Sequence, residues 1–347
     1  MVTARLPQEE IDRAVEALRA GALVVFPTET VYGLGADATN PDAIRRVFEL
    51  KGRPATHPLI VHIEHPRALE RWALNVPESA RLLAERFWPG PLTLVLRRAP
   101  AVDPAITGGQ DTVAVRVPAH PVAQQLLRGF GGGLAAPSAN RYGHVSPTRS
   151  DHVREEFGDD APMVLEGGDC KVGLESTIVS CVDDVPRVLR PGAITLSQIR
   201  AVVPQAQGSP EAGAPRVPGC DAKHYAPRTP VSIVNSRKLE EVVAQTTAAH
   251  EKVAVLATRP PRVANKFMTW INAGRRAELY GRELYVNLRV LDKSGAQEIL
   301  VEEVPAGEAW DAVRDRLRRA ASAENVVAMD PDIAALRADL GEELGTL

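Results

Sequence analysis

The sequence predicts an α/β protein of two domains, the first built on a mixed sheet and the second a small doubly wound unit with a mainly parallel sheet. Three observations predict it. Apolar runs of strand length alternate with helical periods along the chain. Its 347 residues exceed what one core ordinarily organises. Between Pro204 and Pro230 hydrophobic period gives way to QAQGSPEAGAPRVPGCDAKHYAPRTP, a linker by composition. The expected division is therefore 1–203, a linker at 204–230, and 231–347.

In order along the chain, Ile11, Ala14, Val15 and Leu18 fall at i, i+3, i+4 and i+7, the apolar stripe of a helix that Gly21 stops. A strand follows at 22–26. Asn40 supplies an N-cap and Pro41 a first turn, and Ala43, Ile44, Val47 and Phe48 form the buried face of the next helix. That helix delivers the chain into KGRPATHPLIVHI. Further strands are expected at 59–63, 92–96, 112–117, 134–136, 176–179 and 188–189, with helical patterns between several of them. After the linker come strands at 231–234, 253–256 and 299–301. Helices alternate with them: one around 239–246, one carrying Leu284, Leu288 and Leu291, and one carrying Trp310, Val313 and Leu317. No internal repeat is visible.

Composition excludes several classes. Hydrophobic residues at 44% and charged residues at 24% are globular values, while aromatics at 4% leave the core to aliphatic side chains. A net charge of −3 argues against the broad basic face of non-specific nucleic-acid binding. Cys170, Cys181 and Cys220 show no CxxC spacing and read as reduced thiols. With neither a signal-like start nor an apolar run of about 18 residues, the expectation is a cytoplasmic protein without membrane contact.

Four stretches carry candidate chemistry. FPTETVYGLG, at 26–35, is either a polar turn closing a strand or the floor of a site. Its Gly33 and Gly35, with Ala38, satisfy the permissive GxGxxA dinucleotide pattern between an expected strand and an expected helix. PTETVY intervenes where the first glycine should end the strand, so a nicotinamide-dependent oxidoreductase is the weaker reading. Lys51 and Arg53 either meet an anion, as point charge and fork, or complement a helix C-terminus. APSANRYGHVSPT, at 136–148, offers small residues and hydroxyls that let backbone N–H groups approach a phosphate, or forms an ordinary loop. The same choice covers Glu175, Ser176 and Thr177 in LESTIV and Arg190 in LRPGAI. His62-x-x-His65 lacks the further ligands of a protein metal site. There is no GxxxxGK[ST], no GxSxG elbow and no reactive-cysteine signature. Catalysis would have to act by positioning and charge stabilisation.

Jointly and in order, these stretches resemble the Sua5/YrdC/YwlC family of threonylcarbamoyl-AMP synthases. The resemblance rests on PTETVYGLG, on Lys51-x-Arg53 leading to Pro58-Leu59 and His62, and on WPGPLT. It continues through DTVAVRVPAHP, APSAN with SPT, ESTIV and LRPG. HYAP at 224–227 and AWDAVRDRLRRAA at 309–321 look like the longer, Sua5-type subgroup. The resemblance implies a YrdC-like open α/β domain, with a twisted mixed sheet and a deep positive cavity, followed by a small Rossmann-like domain.

The implied reaction joins L-threonine, bicarbonate or CO2, and ATP into L-threonylcarbamoyl-AMP and pyrophosphate. The product passes to a tRNA threonylcarbamoyl transferase that makes N6-threonylcarbamoyladenosine, and a weak contact with tRNA is the accompanying expectation. By resemblance, Thr28, Thr30, His62, Arg116 and Ser176 hold threonine. Lys51, Arg53, His57, Thr112, Ser138, Ser146 and Arg190 hold ATP, and Lys51 and Arg53 are the catalytic cations offsetting charge as pyrophosphate leaves. Mg²⁺ comes with the triphosphate. Two positions depart from the family pattern: His57, where many relatives have Asn, and Tyr142, in place of a serine before Gly143. The linker is either a flexible tether or a lid whose HYAP covers the cavity. Residues after Ala321 carry no assigned role. An RNA-binding module without catalysis is the alternative reading.

Overall fold

The computed structural model describes residues 5–208, 213–220 and 224–321. The first domain runs α1 (Gln8–Arg19), β1 (Val24–Phe26), β2 (Gly33–Asp37), α2 (Pro41–Lys51), β3 (Ile60–His62), α3 (Glu78–Phe87), β4 (Leu92–Arg97), α4 (Pro104–Thr107) and β5 (Thr112–Arg116). It continues α5 (Pro121–Phe130), β6 (Leu134–Ala135), α6 (Ser150–Phe157), β7 (Met163–Val164), β8 (Thr177–Ser180), β9 (Arg187–Arg190) and α7 (Leu196–Arg200). The nine strands form one mixed sheet in the order β7-β1-β2-β6-β3-β5-β4-β8-β9.

Strand alternation sorts this sheet into two faces. On one, Val25, Leu34, Val61, Leu94 and Val115 pack against the apolar stripes of α2 and α3. On the other, Val24, Phe26, Leu134 and Ala136 are covered by α1 and α5. Register carries that second face across the sheet: His62 is opposite Arg116, Val95 opposite Ala114, and Thr93 opposite Ile178. Here the cover is no helix of the first domain but the linker, whose Val217 packs on Ile60, Ala114 and Ile178.

Gly33 and Gly35 do not form the turn between the expected strand and helix: both lie within β2, antiparallel to β1, and the expected helix, α2, begins only at Pro41. At Gly35 the need for glycine comes from Phe26, since a Cβ there would stand 2.8 Å from its ring. No helix N-terminus is therefore available for a dinucleotide phosphate at these glycines.

The second domain comprises β10 (Val231–Val234), α8 (Leu239–Ala248), β11 (Val253–Ala257), β12 (Met268–Asn272), α9 (Ala277–Asp292), β13 (Glu298–Glu302) and α10 (Asp311–Ala320). Its sheet is wholly parallel in the order β10-β13-β11-β12. Leu284, Leu288, Val313 and Leu317 cover one face and Leu239 and Val243 the other, a doubly wound arrangement. Strand β12 is missing from the sequence reading because this half-exposed edge strand shows no clean alternation of burial. Val31, Val145 and Leu174 of the first domain share a buried cluster with Tyr280, Leu284 and Tyr285 of the second. Among the described residues no helix is long and apolar enough to cross a membrane.

Candidate active site

A cavity opens on the linker-covered face of the first sheet. Thr28, Thr30, Arg53, His62 and Arg116 line it, with Ser138, Glu175, Ser176 and Arg190. Pro218, Gly219, His224 and Tyr225 reach in from the linker and leave about 50 Å³ open.

The turn after β1 is held by its own threonine. The Thr28 hydroxyl donates to the Val31 carbonyl at 2.6 Å and accepts from the Thr30 and Val31 amides at 3.1 and 3.2 Å. The Thr30 hydroxyl stands 2.8 Å from it. Arg116, at the end of β5, donates from Nε to the Gly90 carbonyl, from Nη1 to Thr30 Oγ1 at 2.9 Å and from Nη2 to Glu29 Oε1 at 2.6 Å. Three of its five N–H groups are thereby committed. His62, opposite it in the sheet, is pushed down to about 3 by burial and then by the Arg116 charge, so the imidazole is neutral near pH 7. Its Nδ1 has no hydrogen-bond partner among the described residues.

Ser176 Oγ lies 2.7 Å from Thr93 Oγ1, and Arg190 donates to the Ser176 carbonyl and, at 2.8 Å, to the Pro218 carbonyl of the linker. Glu175 accepts from Ser146 at 2.6 Å, and from Tyr285 at 2.8 Å and Arg316 at 2.9 Å, both in the second domain. Burial alone would raise Glu175. The Arg316 and Arg190 charges and the Ser146 hydroxyl outweigh it and hold the carboxyl down to about 2.

Lys51, Ser146, His57 and Thr112 do not line this cavity. Lys51 is buried at the end of α2, where Nζ donates to the carbonyls of Ser138, at 2.7 Å, and Asn140. Burial, then the Arg53 charge, depresses its pKa well below the usual lysine value. Ser146 reaches the cavity only through Glu175. His57 lines an adjoining groove with Arg216 and Arg319, and its ring meets Tyr142 edge to face at 5.4 Å. Thr112 lines another groove with Arg97 and Arg187.

Sequence reasoning passed over Glu29, Thr93, Tyr285 and Arg316. For Arg316 a signal existed: with Val313, Leu317 and Ala320 it occupies the buried stripe of α10, where an arginine demands a buried partner. Glu29 and Thr93 carry no such mark, because their partners lie 87 and 83 residues away.

Fold and site together define a class: a two-domain α/β protein whose first sheet carries a cavity that gathers Arg53, Arg116 and Arg190 with the hydroxyls of Thr28, Thr30, Ser138 and Ser176. Comparison with known proteins makes the class specific. The family described as "Telomere recombination" matches residues 16–192, and the one described as "Threonylcarbamoyl-AMP synthase, C-terminal domain" matches residues 194–322. The chain is 40% identical over 330 residues to the threonylcarbamoyl-AMP synthase of Pyrococcus abyssi, covering 92% of this chain and 96% of that one. Identity to the Bacillus subtilis threonylcarbamoyl-AMP synthase is also 40%, over 90% of this chain and 93% of the relative. The crystal structure of P. abyssi Sua5 complexed with L-threonine aligns with a TM-score of 0.86 at 39% identity, covering 94% of this chain and 98% of that one. The chain belongs to the Sua5/YrdC family of threonylcarbamoyl-AMP synthases, in its two-domain form.

Proposed function

We propose that the protein makes L-threonylcarbamoyl-AMP from L-threonine, bicarbonate or CO2, and ATP, releasing pyrophosphate. The observation that carries this reading is the convergence on one cavity of residues spread from Thr28 to Arg190, three of them arginines.

In this reading the threonine carboxylate pairs with the N–H groups of Arg116 not spent on Gly90, Thr30 and Glu29, and Ser176 and the Thr28–Thr30 hydroxyls fix the remaining polar groups. Neutral His62 adds a polar ring without a further charge. The threonine amine captures CO2, losing a proton, and a carbamate oxygen attacks the α-phosphorus of ATP. The bond to the β-phosphate oxygen breaks as pyrophosphate leaves. The substrate supplies the nucleophile, and the protein supplies placement and charge compensation. Arg53 and Arg190 face the phosphates, with Ser138 at the same wall. Lys51 stands behind that wall, where it holds the 138–140 loop through its carbonyls, and the negative charge of bound phosphates would favour its protonated form against the burial that depresses it. His57 and Thr112 flank the nucleotide from the adjoining grooves.

Mg²⁺ belongs to the substrate in this scheme. The cavity's carboxylate, Glu175, is committed to three donors, and no group of three or more His, Cys, Asp or Glu able to hold a metal occurs among the described residues. The mixed anhydride formed is hydrolytically labile. His224 and Tyr225 of the linker, placed at the cavity, suit a lid that excludes water until the product passes to a tRNA threonylcarbamoyl transferase. Incubation with ATP, bicarbonate and threonine tests the reading: pyrophosphate should appear only when all three are present, and release independent of threonine and bicarbonate overturns it.

A further inference from the structure

Between the two threonines of PTET, Glu29 points away from the cavity that Thr28 and Thr30 line. Its side chain is 9% exposed, and both carboxylate oxygens are engaged: Oε1 by Arg116 Nη2 at 2.6 Å, Oε2 by the Ala119 amide at 3.0 Å. Its backbone carbonyl accepts from the Val172 amide at 2.7 Å. The residue thus ties the turn after β1 to the end of β5, to the turn that follows β5 and to the 170–173 loop. Arg116 is gripped on three sides, by Glu29, Thr30 and the Gly90 carbonyl.

A guanidinium at the end of a flexible side chain recognises a carboxylate well only when its plane is fixed beforehand. A buried arginine also needs a counter-charge when its ligand is absent. Glu29 meets both needs from behind the cavity wall. We propose that Glu29 is the positioning residue for the amino-acid subsite: it fixes the plane of Arg116 so that the uncommitted N–H groups face the cavity, and balances its charge. This inference rests on the reading that Arg116 receives the threonine carboxylate. It makes Glu29 a determinant of threonine affinity and of selectivity among amino acids, with no direct part in ATP binding.

The two effects separate in kinetics. Glu29→Gln removes the charge and gives one of two N–H donors an amide nitrogen instead of an oxygen. Glu29→Asp keeps the charge but withdraws it by one methylene. In both, KM for threonine is expected to rise about tenfold or more with KM for ATP within about twofold, and the preference for threonine over serine to fall. Asp should retain more threonine affinity than Gln. A merely structural role would instead lower the melting temperature and the active fraction while leaving both KM values in place. That result, or threonine and ATP constants rising together, overturns the inference; if the Gln variant does not fold, the Asp variant decides. The unsubstituted enzyme is the control. Should it show no threonine- and bicarbonate-dependent pyrophosphate release, the proposed function fails rather than the role of Glu29.

Discussion

Two walls of the same cavity are built on opposite terms. The sheet wall is mostly bonded within the first domain: Arg116, Thr30, Ser176 and Arg190 each hold a partner in a neighbouring strand or turn, the Thr93–Ser176 contact is 2.7 Å, and His62 Nδ1, without a partner among the described residues, is an exception. The linker wall presents polar atoms without partners among the described residues, His224 Nδ1 and Tyr225 OH. It is held by backbone bonds, from the His224 amide to the Arg319 carbonyl and from the Ala226 amide to the Gly143 carbonyl, and by stacked and edge-on rings. A buried polar atom without a partner costs stability. Most polar side chains of the sheet wall are thus fixed in advance, while the linker wall holds His224 Nδ1 and the Tyr225 hydroxyl without partners among the described residues.

The largest blow to the sheet wall is Arg116→Ala. It removes the proposed carboxylate receiver and strands the Glu29 carboxylate in a buried site. KM for threonine should rise roughly a hundredfold or more, with KM for ATP little changed. Thermal unfolding should show a loss of about 3 kcal/mol or more from the unpaired charge. Steady-state kinetics with each substrate varied separately checks the first part and calorimetry the second. Equal, small changes in both constants would mean that Arg116 serves the fold and not threonine.

The linker wall leans on the second domain, and Arg316→Met tests that support. Arg316 is fully buried, donates to Glu175 Oε2 at 2.9 Å, and its guanidinium lies 5.3 Å from the centre of the Tyr225 ring. In the intact protein Glu175 is held down to about 2, below the ordinary carboxylate range, so its share of stability is present above that range. That share is lost as pH falls toward about 2. Removing Arg316 takes away the largest charge that lowers this carboxyl, and the groups left facing Glu175 are Ser146, Tyr285, Arg190, Tyr225 and His224. The acid limb of stability should therefore move to higher pH in the variant, followed by unfolding across pH 3 to 6. An unchanged acid limb would break the link between the domains.

How much of this could be read beforehand depended on distance along the chain. Ile60 and His62, and Ala114 and Arg116, fall on one sheet face by simple alternation, so a correct strand also places its polar residues. Asn40 as N-cap and the burial of Ala43, Ile44, Val47 and Phe48 were equally local. Lys51 was harder. Its position at the end of α2 is local, but the direction of its ammonium depends on the carbonyls of a loop 87 residues away. Glu29 and Thr93 gain meaning only through partners in other strands and turns. The linker's prolines and glycines left a tether and a lid both open, because composition cannot show what Val217 and Tyr225 meet: they are buried against the sheet and the second domain.

The smallest expected effects sharpen the contrast most, because similar deletions should act with opposite sign on the two walls. Thr93→Val removes a hydroxyl whose partner, Ser176 Oγ, keeps one bond, from Arg190 Nη2 at 3.2 Å. Stability should drop by about 1 kcal/mol, and KM for threonine should rise a few-fold as Ser176 loses its fixed orientation. Tyr225→Phe removes a buried hydroxyl without a partner among the described residues. Its stability should stay level or rise by up to about 1 kcal/mol, since no bond is lost and a desolvated group is relieved. If that hydroxyl is held for a substrate, kcat should fall while stability does not, a separation the sheet wall does not allow. Paired denaturation and kinetic measurements on these variants decide the matter. A destabilised Tyr225→Phe protein with normal turnover would show that the hydroxyl serves the folded linker alone, and the distinction between the walls would collapse.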